Sequence, residues 1–198
     1  MVRHAYVQQK VLELYCMMNQ ITYPITPEDL LVDLPIESKM MSYSMMAKIS
    51  GCTAKDVAIM CASDSGATHY SASQNRCLIL YNDNMPEGRI LWTKCHEVGH
   101  IAIGHMGLLE CNVAANSDGR IASDFEHEAD YFTWNMMAPL PIMREMGIRD
   151  VKQTIETFGF SVQAANLQFD RFQKWKRSHI KTAWENQMLR EFRLKYKG

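Results

Sequence analysis

The sequence predicts an α+β fold that is mainly helical and contains a small sheet. Near the start of the chain, apolar residues recur at the spacing of an amphipathic helix, at Val7, Val11, Leu14 and Met18. In the middle of the chain, the runs ATHYSA and RCLILY have the composition of strands and are joined by the turn residues SQN. The chain has 198 residues, of which 47 % are hydrophobic, so it is long enough to bury a core of its own.

The composition excludes several classes of protein. A charged fraction of 22 % beside this hydrophobic content excludes a disordered chain, and a net charge of −1 excludes a globally basic nucleic-acid binder. No apolar run approaches the roughly 20 residues of a membrane helix. The N-terminal stretch MVRHAYVQQKVLELYC has no continuous apolar segment of the kind found in secretory signals. We therefore expect a cytoplasmic protein that does not bind membranes.

The six cysteines are not spaced as metal ligands. No two of them are separated by two residues, so the CxxC pairs of zinc ribbons and redox motifs are absent. Reduced thiols are the default in the cytoplasm, and most of these cysteines should be small buried residues.

Residues 1–66 predict a helical segment that packs on the core. The apolar periodicity predicts a helix over 3–18, and three prolines then divide the chain into short pieces. Two short helices follow within 42–62, the first ending at Gly51 and the second capped by Thr53. Their spacing is that of a helix-turn-helix. On spacing alone, two such helices more often pack against the core than bind DNA. The next strand, RCLILY, is continuously apolar and should be buried on both faces.

The chemistry-bearing motif is His-Glu-Val-Gly-His at 96–100, in a predicted helix over 89–104. Residues four apart on a helix lie one above the other, so His96 and His100 can bind one metal ion. Glu97 lies about 100° around the helix from His96, where it can reach a water molecule on the metal without ligating the metal. Gly99 costs about 1 kcal/mol of helix stability relative to Ala, which indicates a close approach by another element.

A catalytic zinc site needs a third protein ligand, and several residues could supply it. Glu126 is the leading candidate, with Asp130 one helical turn later to orient a histidine. However, Ser123 and Glu126 also form a capping-box pattern, so Glu126 could cap its helix instead. Glu128 points to another side of the helix and is the alternative ligand.

Two further histidines lie near the motif. His105 follows His100 at an unfavourable helical angle, so we expect it to cap the C-terminus of its helix, although it could line the site. His127 would have to displace a carboxylate to act as a ligand and is assigned no role.

Three linked segments resemble the ImmA/IrrE family of metallopeptidases: ILYND, RILWTKCHEVGHIAIGH and FEHEADYFTWNMMAP. The family pattern runs from a strand and Asn through an Arg-rich turn to HExxH, then to an ExEA(D/N)xFA helix that ends at Pro. Thr133 stands where the family usually has Ala. The segment GFSVQAANLQF is similar to the helix that follows the peptidase core of the family, so the resemblance covers about residues 40–180.

The resemblance implies a zincin-like core in which a small sheet, of about three strands, packs on the metal-binding helices. It implies one catalytic Zn²⁺ held by His96, His100 and Glu126, with Glu97 as the catalytic base of an endopeptidase. In the best-known members the substrates are helix-turn-helix repressors of mobile elements or stress genes. We therefore expect an anti-repressor whose partner is such a repressor, and a peptidase core at 67–145.

Two parts of the expected reaction stay open. A hydrogen-bond donor should stabilise the oxyanion, and His69, Tyr70, His105 and Tyr131 are candidates among which the sequence does not choose. The strand over 76–81 could bind an extended substrate by strand addition if its edge is free.

Residues 146–198 predict a C-terminal helical segment with a basic tail. Helices are expected over 150–158 and 161–177, with Ser161 as an N-cap. Residues 171–198 carry a net charge of +7, whereas 1–170 carry −8. A solvated basic helix is the favoured interpretation of the tail, and docking onto the acidic body, an acidic partner or DNA is the alternative.

Two rival functions remain at this point. The protein could retain the zinc site and sequester a repressor or DNA partner without cleaving it. A DNA-binding accessory with structural zinc is weaker, because structural sites usually have four ligands and favour Cys.

Overall fold

The computed structural model describes residues 1–106, 119–178 and 180–197. Over these ranges the chain is mostly helical and contains a three-stranded sheet, so the predicted mainly helical α+β class is confirmed.

The elements are named in chain order. The helices are α1 (His4–Met17), α2 (Tyr43–Ser50), α3 (Ala54–Met60), α4 (Glu87–Ile103), α5 (Gly119–Met137), α6 (Leu140–Glu145), α7 (Val151–Phe158), α8 (Val162–Ser178) and α9 (Ala183–Lys195). A 3-10 helix spans Asp29–Asp33, and the strands are β1 (Glu37–Ser42), β2 (Gly66–Ser71) and β3 (Arg76–Tyr81).

Strand β3 is the centre of the sheet, whose order is β1-β3-β2. It runs parallel to β1 and antiparallel to β2, with Ser42 and Gly66 both opposite Tyr81. Both edges of β3 are occupied, so the free edge on which strand addition to β3 depended is absent from the described sheet. Strand β1 was not predicted, because its residues ESKMMS are mostly part-exposed and lack an alternating apolar pattern.

Side chains of β3 reach two hydrophobic clusters, which confirms the expected burial of this strand. Cys77 and Ile79 belong to the main core, whereas Leu80 joins a smaller cluster with Tyr43 and Val57 from α2 and α3. The sheet thus lies between the metal-motif helix on one side and the short helical pair on the other.

The two short helices have the predicted boundaries. Gly51 ends α2 in the left-handed conformation, with φ of +68°. Thr53 and Asp56 form a capping box at the start of α3, in which each side chain accepts a hydrogen bond from the other residue's backbone N–H.

One continuous core joins all three predicted segments of the chain. It includes Val11 of α1, Ile101 of α4, Phe132 of α5, Phe172 of α8 and Phe192 of α9. Burial of this apolar surface holds the helices around the site in fixed positions.

The C-terminal segment packs on this core through one face of each helix. Ser161 accepts a hydrogen bond from the backbone N–H of Ala164, as predicted for an N-cap, and Phe158 and Ala165 are buried. Val162, at the start of α8, is 66 % exposed.

Helix α9 docks on α1 and α6. Met188 and Phe192 are buried there, and Arg193 pairs with Glu145 of α6 at 2.6 Å. The prediction of a solvated basic helix therefore describes only the outer face of α9.

Two further features concern membrane-spanning helices and the cysteines. No helix in the described ranges is long and apolar enough to cross a bilayer. The five cysteines among the described residues are free thiols, and Cys111 lies outside them.

Candidate metal centre

Helices α4 and α5 pack together and bring three metal-ligating side chains to one point. His96 and His100 lie one turn apart on α4, and their Nε2 atoms are 3.1 Å from each other. Glu126 of α5 places Oε2 3.2 Å from His96 Nε2 and Oε1 3.5 Å from His100 Nε2. A ligand atom from each residue thus lies within 4.8 Å of the other two.

These separations suit a single four-coordinate ion. Metal–ligand distances of about 2.0–2.2 Å in a tetrahedral site place neighbouring donor atoms about 3.3–3.6 Å apart. In the described part of the chain, no other group of His, Cys and acidic side chains meets the same condition. His96, His100 and Glu126 could therefore bind one metal ion.

Gly99 allows the two helices to approach this closely. A Cβ atom at this position would lie 2.8 Å from Cδ1 and 3.2 Å from Cγ of Phe132 on α5. The close approach predicted from the glycine is confirmed.

The capping-box interpretation of Glu126 is wrong. Helix α5 begins at Gly119, so Ser123 and Glu126 both lie inside the helix rather than at its first turn. The carboxylate of Glu126 bonds to His96 instead, and this hydrogen bond holds its pKa below the usual value despite partial burial.

Asp130 orients His96 from one turn further along α5. Its Oδ1 lies 3.1 Å from Nδ1 of His96, so the imidazole is held between Asp130 on one nitrogen and Glu126 on the other. Burial lowers the pKa of His96, but the hydrogen bonds to these two carboxylates outweigh it and raise the pKa to about 10. A metal ion that binds His96 must therefore displace a proton.

His105 lies directly behind His100 and is completely buried. Its Nδ1 is 2.9 Å from Nδ1 of His100, and its Nε2 is 3.0 Å from Oε2 of Glu128. The prediction that this side chain caps helix α4 is wrong. Gly104 ends the helix in the left-handed conformation, and the backbone N–H of His105 bonds to the carbonyl of His100.

Glu128 is held by Arg3 and is not part of the ligand group. The side chain of Glu128 is 2 % exposed, and its carboxylate accepts hydrogen bonds from the guanidinium of Arg3 at 2.6 and 3.0 Å and from the Arg3 backbone N–H at 2.7 Å. Burial raises the pKa of Glu128, but these bonds and the bond to His105 outweigh it and lower the pKa to about 2. Glu128 is therefore ionised, and it binds Arg3 and His105 rather than the metal.

Glu97 lies at the sheet side of the same cleft. Its carboxylate is buried, which raises its pKa, and the hydroxyl of Thr68 on β2 donates a hydrogen bond to Oε2 at 2.7 Å. A carboxylate with a raised pKa beside a metal site is suited to accept and return protons near neutral pH.

His96, Glu126 and Glu97 line a cleft of about 460 Å³. Its walls come from the start of β2, from α4 and α5, and from the first two turns of α8. Among its lining residues are Gly66, Arg89, Trp92, Trp134, Ala164 and Leu167.

None of the four predicted oxyanion donors lines this cleft, and His105 is buried behind His100. The Tyr70 hydroxyl donates to Asn75 at the far end of β2, and His69 lies 3.7 Å from the thiol of Cys61. The hydroxyl of Tyr131 accepts a hydrogen bond from Gln8, on the α1 side of α5. His127 is exposed on α5.

Arg3 and Thr68 support the site but were not found from the sequence. Arg3 acts across a sequence separation of 125 residues, and a single arginine near the start of the chain carries no local signal. Thr68 lies in a predicted strand, and only the pairing of β2 beside α4 places it against Glu97.

The chain matches no protein-family model and no curated protein at a significant level.

Proposed function

We propose that the protein is a zinc-dependent endopeptidase with a zincin-like core of the ImmA/IrrE type. The observation that carries the proposal is the cluster of His96, His100 and Glu126, whose donor atoms lie 3.1–3.5 Å apart, with Glu97 on the same cleft. The two linked motifs that resemble the family supply these four residues.

Zinc is the metal that this donor set favours. Two imidazoles and one carboxylate are typical of catalytic zinc sites in hydrolases, which leave a further position open. When bound, zinc supplies Lewis-acid activation of water and of a peptide carbonyl. Asp130 and His105 each hold the outer nitrogen of one histidine, so both imidazoles are oriented before the ion binds.

Glu97 is the proposed general base. Its burial raises the pKa of the carboxyl, so it can accept a proton from water and later donate it to the leaving amine. Thr68 holds one carboxylate oxygen, which limits the rotation of the side chain.

Strand β2 offers a place for an extended polypeptide. It pairs with β3 on one edge, and no other strand pairs with it in the described part of the chain. Gly66 of β2 lines the cleft, and Thr68 holds Glu97, so a peptide added along this edge would pass the proposed base. We propose a helix-turn-helix repressor as the substrate, on the family resemblance, and an anti-repressor role for the protein.

The test compares Glu97→Gln with Glu87→Gln, a matched change at an exposed residue of the same helix. Zinc-loaded proteins are incubated with a helix-turn-helix repressor encoded by a neighbouring gene, and fragments are identified by mass spectrometry. We expect cleavage by the parent and Glu87→Gln, no cleavage by Glu97→Gln, and equal zinc content in all three. Undiminished cleavage by Glu97→Gln would overturn the mechanism.

The same variants separate proteolysis from sequestration. A stoichiometric loss of repressor activity that survives Glu97→Gln would favour a regulatory binding protein. Failure of the parent protein to bind zinc, with His96→Ala as the negative control, would remove the ligand assignment itself.

A further inference from the structure

Two groups of side chains with different chemistry line the cleft. One group contains the potential metal ligands His96 and Glu126, together with Glu97 and Asp130, and is rich in carboxylates. The other group contains the apolar side chains Trp92, Trp134, Ala164 and Leu167, which we call the apolar wall. Most of the remaining lining residues are polar, so these four side chains are the part of the cleft that could receive an apolar group.

Helix α8 supplies part of the apolar wall. Leu167 is 52 % exposed and yet faces a cleft rather than the outer surface of the helix bundle. Ala164, one turn earlier, lines the same wall and leaves room beside Leu167. Val162, on the same helix, is also exposed, at 66 %, but it does not line the cleft. Leu167 therefore differs from Val162 in its position in the cleft and not in being exposed.

Two tryptophans form the rest of the apolar wall, and contacts with other aromatic rings hold both indoles in place. The rings of Trp92 on α4 and Trp134 on α5 lie 4.3 Å apart in an edge-on arrangement, and Phe160 packs against both. The guanidinium of Arg171 lies 5.0 Å from the centre of the Trp134 ring. Both indoles are only partly buried, so the wall is preformed and still accessible.

The charges around the cleft select against an acidic ligand group. The carboxylates of Glu97, Glu126 and Asp130 line it. Arg89 is the one arginine or lysine among the described residues that line the cleft, and it already donates a hydrogen bond to Ser65 at 2.9 Å. The Trp134 ring already carries the guanidinium of Arg171, and the side chains of Ala164 and Leu167 are apolar, so an apolar group matches the wall best.

We propose that this wall is a specificity pocket for a large apolar side chain of the polypeptide substrate, next to the bond that is cleaved. The inference rests on the proposed endopeptidase function and deepens it by naming the substrate class. Leu167 is the specificity-determining residue, because it is the exposed apolar side chain that the chain places in the cleft.

Binding of two hydroxamates tests the pocket without requiring cleavage. The probes are peptide hydroxamates that differ only in one side chain, isobutyl in the first and carboxymethyl in the second, and acetohydroxamate serves as the bare metal-binding group. Calorimetry on the zinc-loaded protein should show that the isobutyl probe binds about 10- to 100-fold more tightly than the carboxymethyl probe, as burial of a leucine-sized group predicts.

Variants of α8 assign the preference to Leu167. Leu167→Gln should reduce the ratio to within about threefold, and Leu167→Lys should shift the preference toward the carboxymethyl probe. Val162→Gln, the matched control on the same helix, should leave the ratio unchanged. If a Leu167 variant fails to fold, the ratio measured on the parent protein still decides whether the pocket selects apolar groups.

The outcomes separate this inference from the proposed function. Binding of all three hydroxamates with equal affinity would overturn the pocket and leave the metal site standing. Absence of binding by every probe, acetohydroxamate included, would instead count against the metal-dependent function and the pocket together. A preference that survives both Leu167 variants would overturn the role of Leu167.

Discussion

His105 and His100 face each other through their Nδ1 atoms, 2.9 Å apart in the interior of the protein. Because His100 turns Nε2 toward His96 and Glu126, its Nδ1 carries the proton when Nε2 binds a metal ion. His105 then accepts on Nδ1 and donates from Nε2 to Glu128. Burial lowers the pKa of both histidines, and these neutral tautomers satisfy every contact. His105 is thus a positioning residue for His100.

Replacing His105 should weaken metal binding without removing a ligand. The variant His105→Phe fills a similar volume but cannot accept the hydrogen bond from His100, and we expect zinc affinity to fall by about 10- to 100-fold. Competition with a chromophoric chelator measures the affinity, and a Co²⁺-loaded sample should show altered visible absorption. His127→Phe, at an exposed position, is the control, and equal affinities in the two variants would contradict the role.

Removing the guanidinium of Arg3 should destabilise the fold. Arg3→Met leaves the buried carboxylate of Glu128 without its ion pair, and we expect the free energy of unfolding to fall by about 1–3 kcal/mol. Urea denaturation measures this change. Arg76→Met, which breaks an exposed pair with Glu37, should cost less than about 1 kcal/mol. A loss for Arg3→Met no larger than for Arg76→Met would show that water replaces Arg3 without cost.

Removing the hydroxyl of Thr68 should affect catalysis more than metal binding. Thr68→Val takes away the hydrogen bond to Glu97, and we expect kcat/KM to fall about 10- to 100-fold, since bonds to charged groups contribute about 1.5–3 kcal/mol. Thr68→Ser, which keeps the hydroxyl, should stay within about threefold of the parent. Zinc affinity should be the same in all three proteins, and a parallel loss of zinc would argue for a structural role instead.

Gly99→Ala should be destabilising, although alanine is the better helix former. The added methyl group would meet the ring of Phe132, and we expect a loss of about 1–3 kcal/mol in thermal or urea unfolding. The double variant Gly99→Ala/Phe132→Leu gives the test, because the smaller side chain should recover part of the loss. Strictly additive effects of the two changes would rule out the clash as the cause.

Much of the site could be predicted because its signals are local. His96, Glu97 and His100 lie within one turn of a helix whose apolar pattern was evident, so helical geometry alone places the two imidazoles on one side. Turn and cap residues located the end of α2 at Gly51 and the starts of α3 and α8 at Thr53 and Ser161 in the same way. The edge strand β1 escaped prediction because its half-exposed residues have no periodic pattern.

Other parts of the site depend on contacts between distant segments. Glu126 had two competing interpretations, a metal ligand or a helix cap, and only the start of α5 at Gly119, together with its packing on α4, separates them. Whether β3 had a free edge depended on β1, and the sequence offered no indication of that partner.

The sequence by itself determined the helical frame, the buried central strand and the pair of histidines with their glutamate. It could do so because backbone periodicity and capping act over a few residues. Only the tertiary structure decided which carboxylate joins His96 and His100, and that His105 and Arg3 stand behind them. These choices depend on how α1, α4 and α5 pack, and packing is set by burial summed over the whole core.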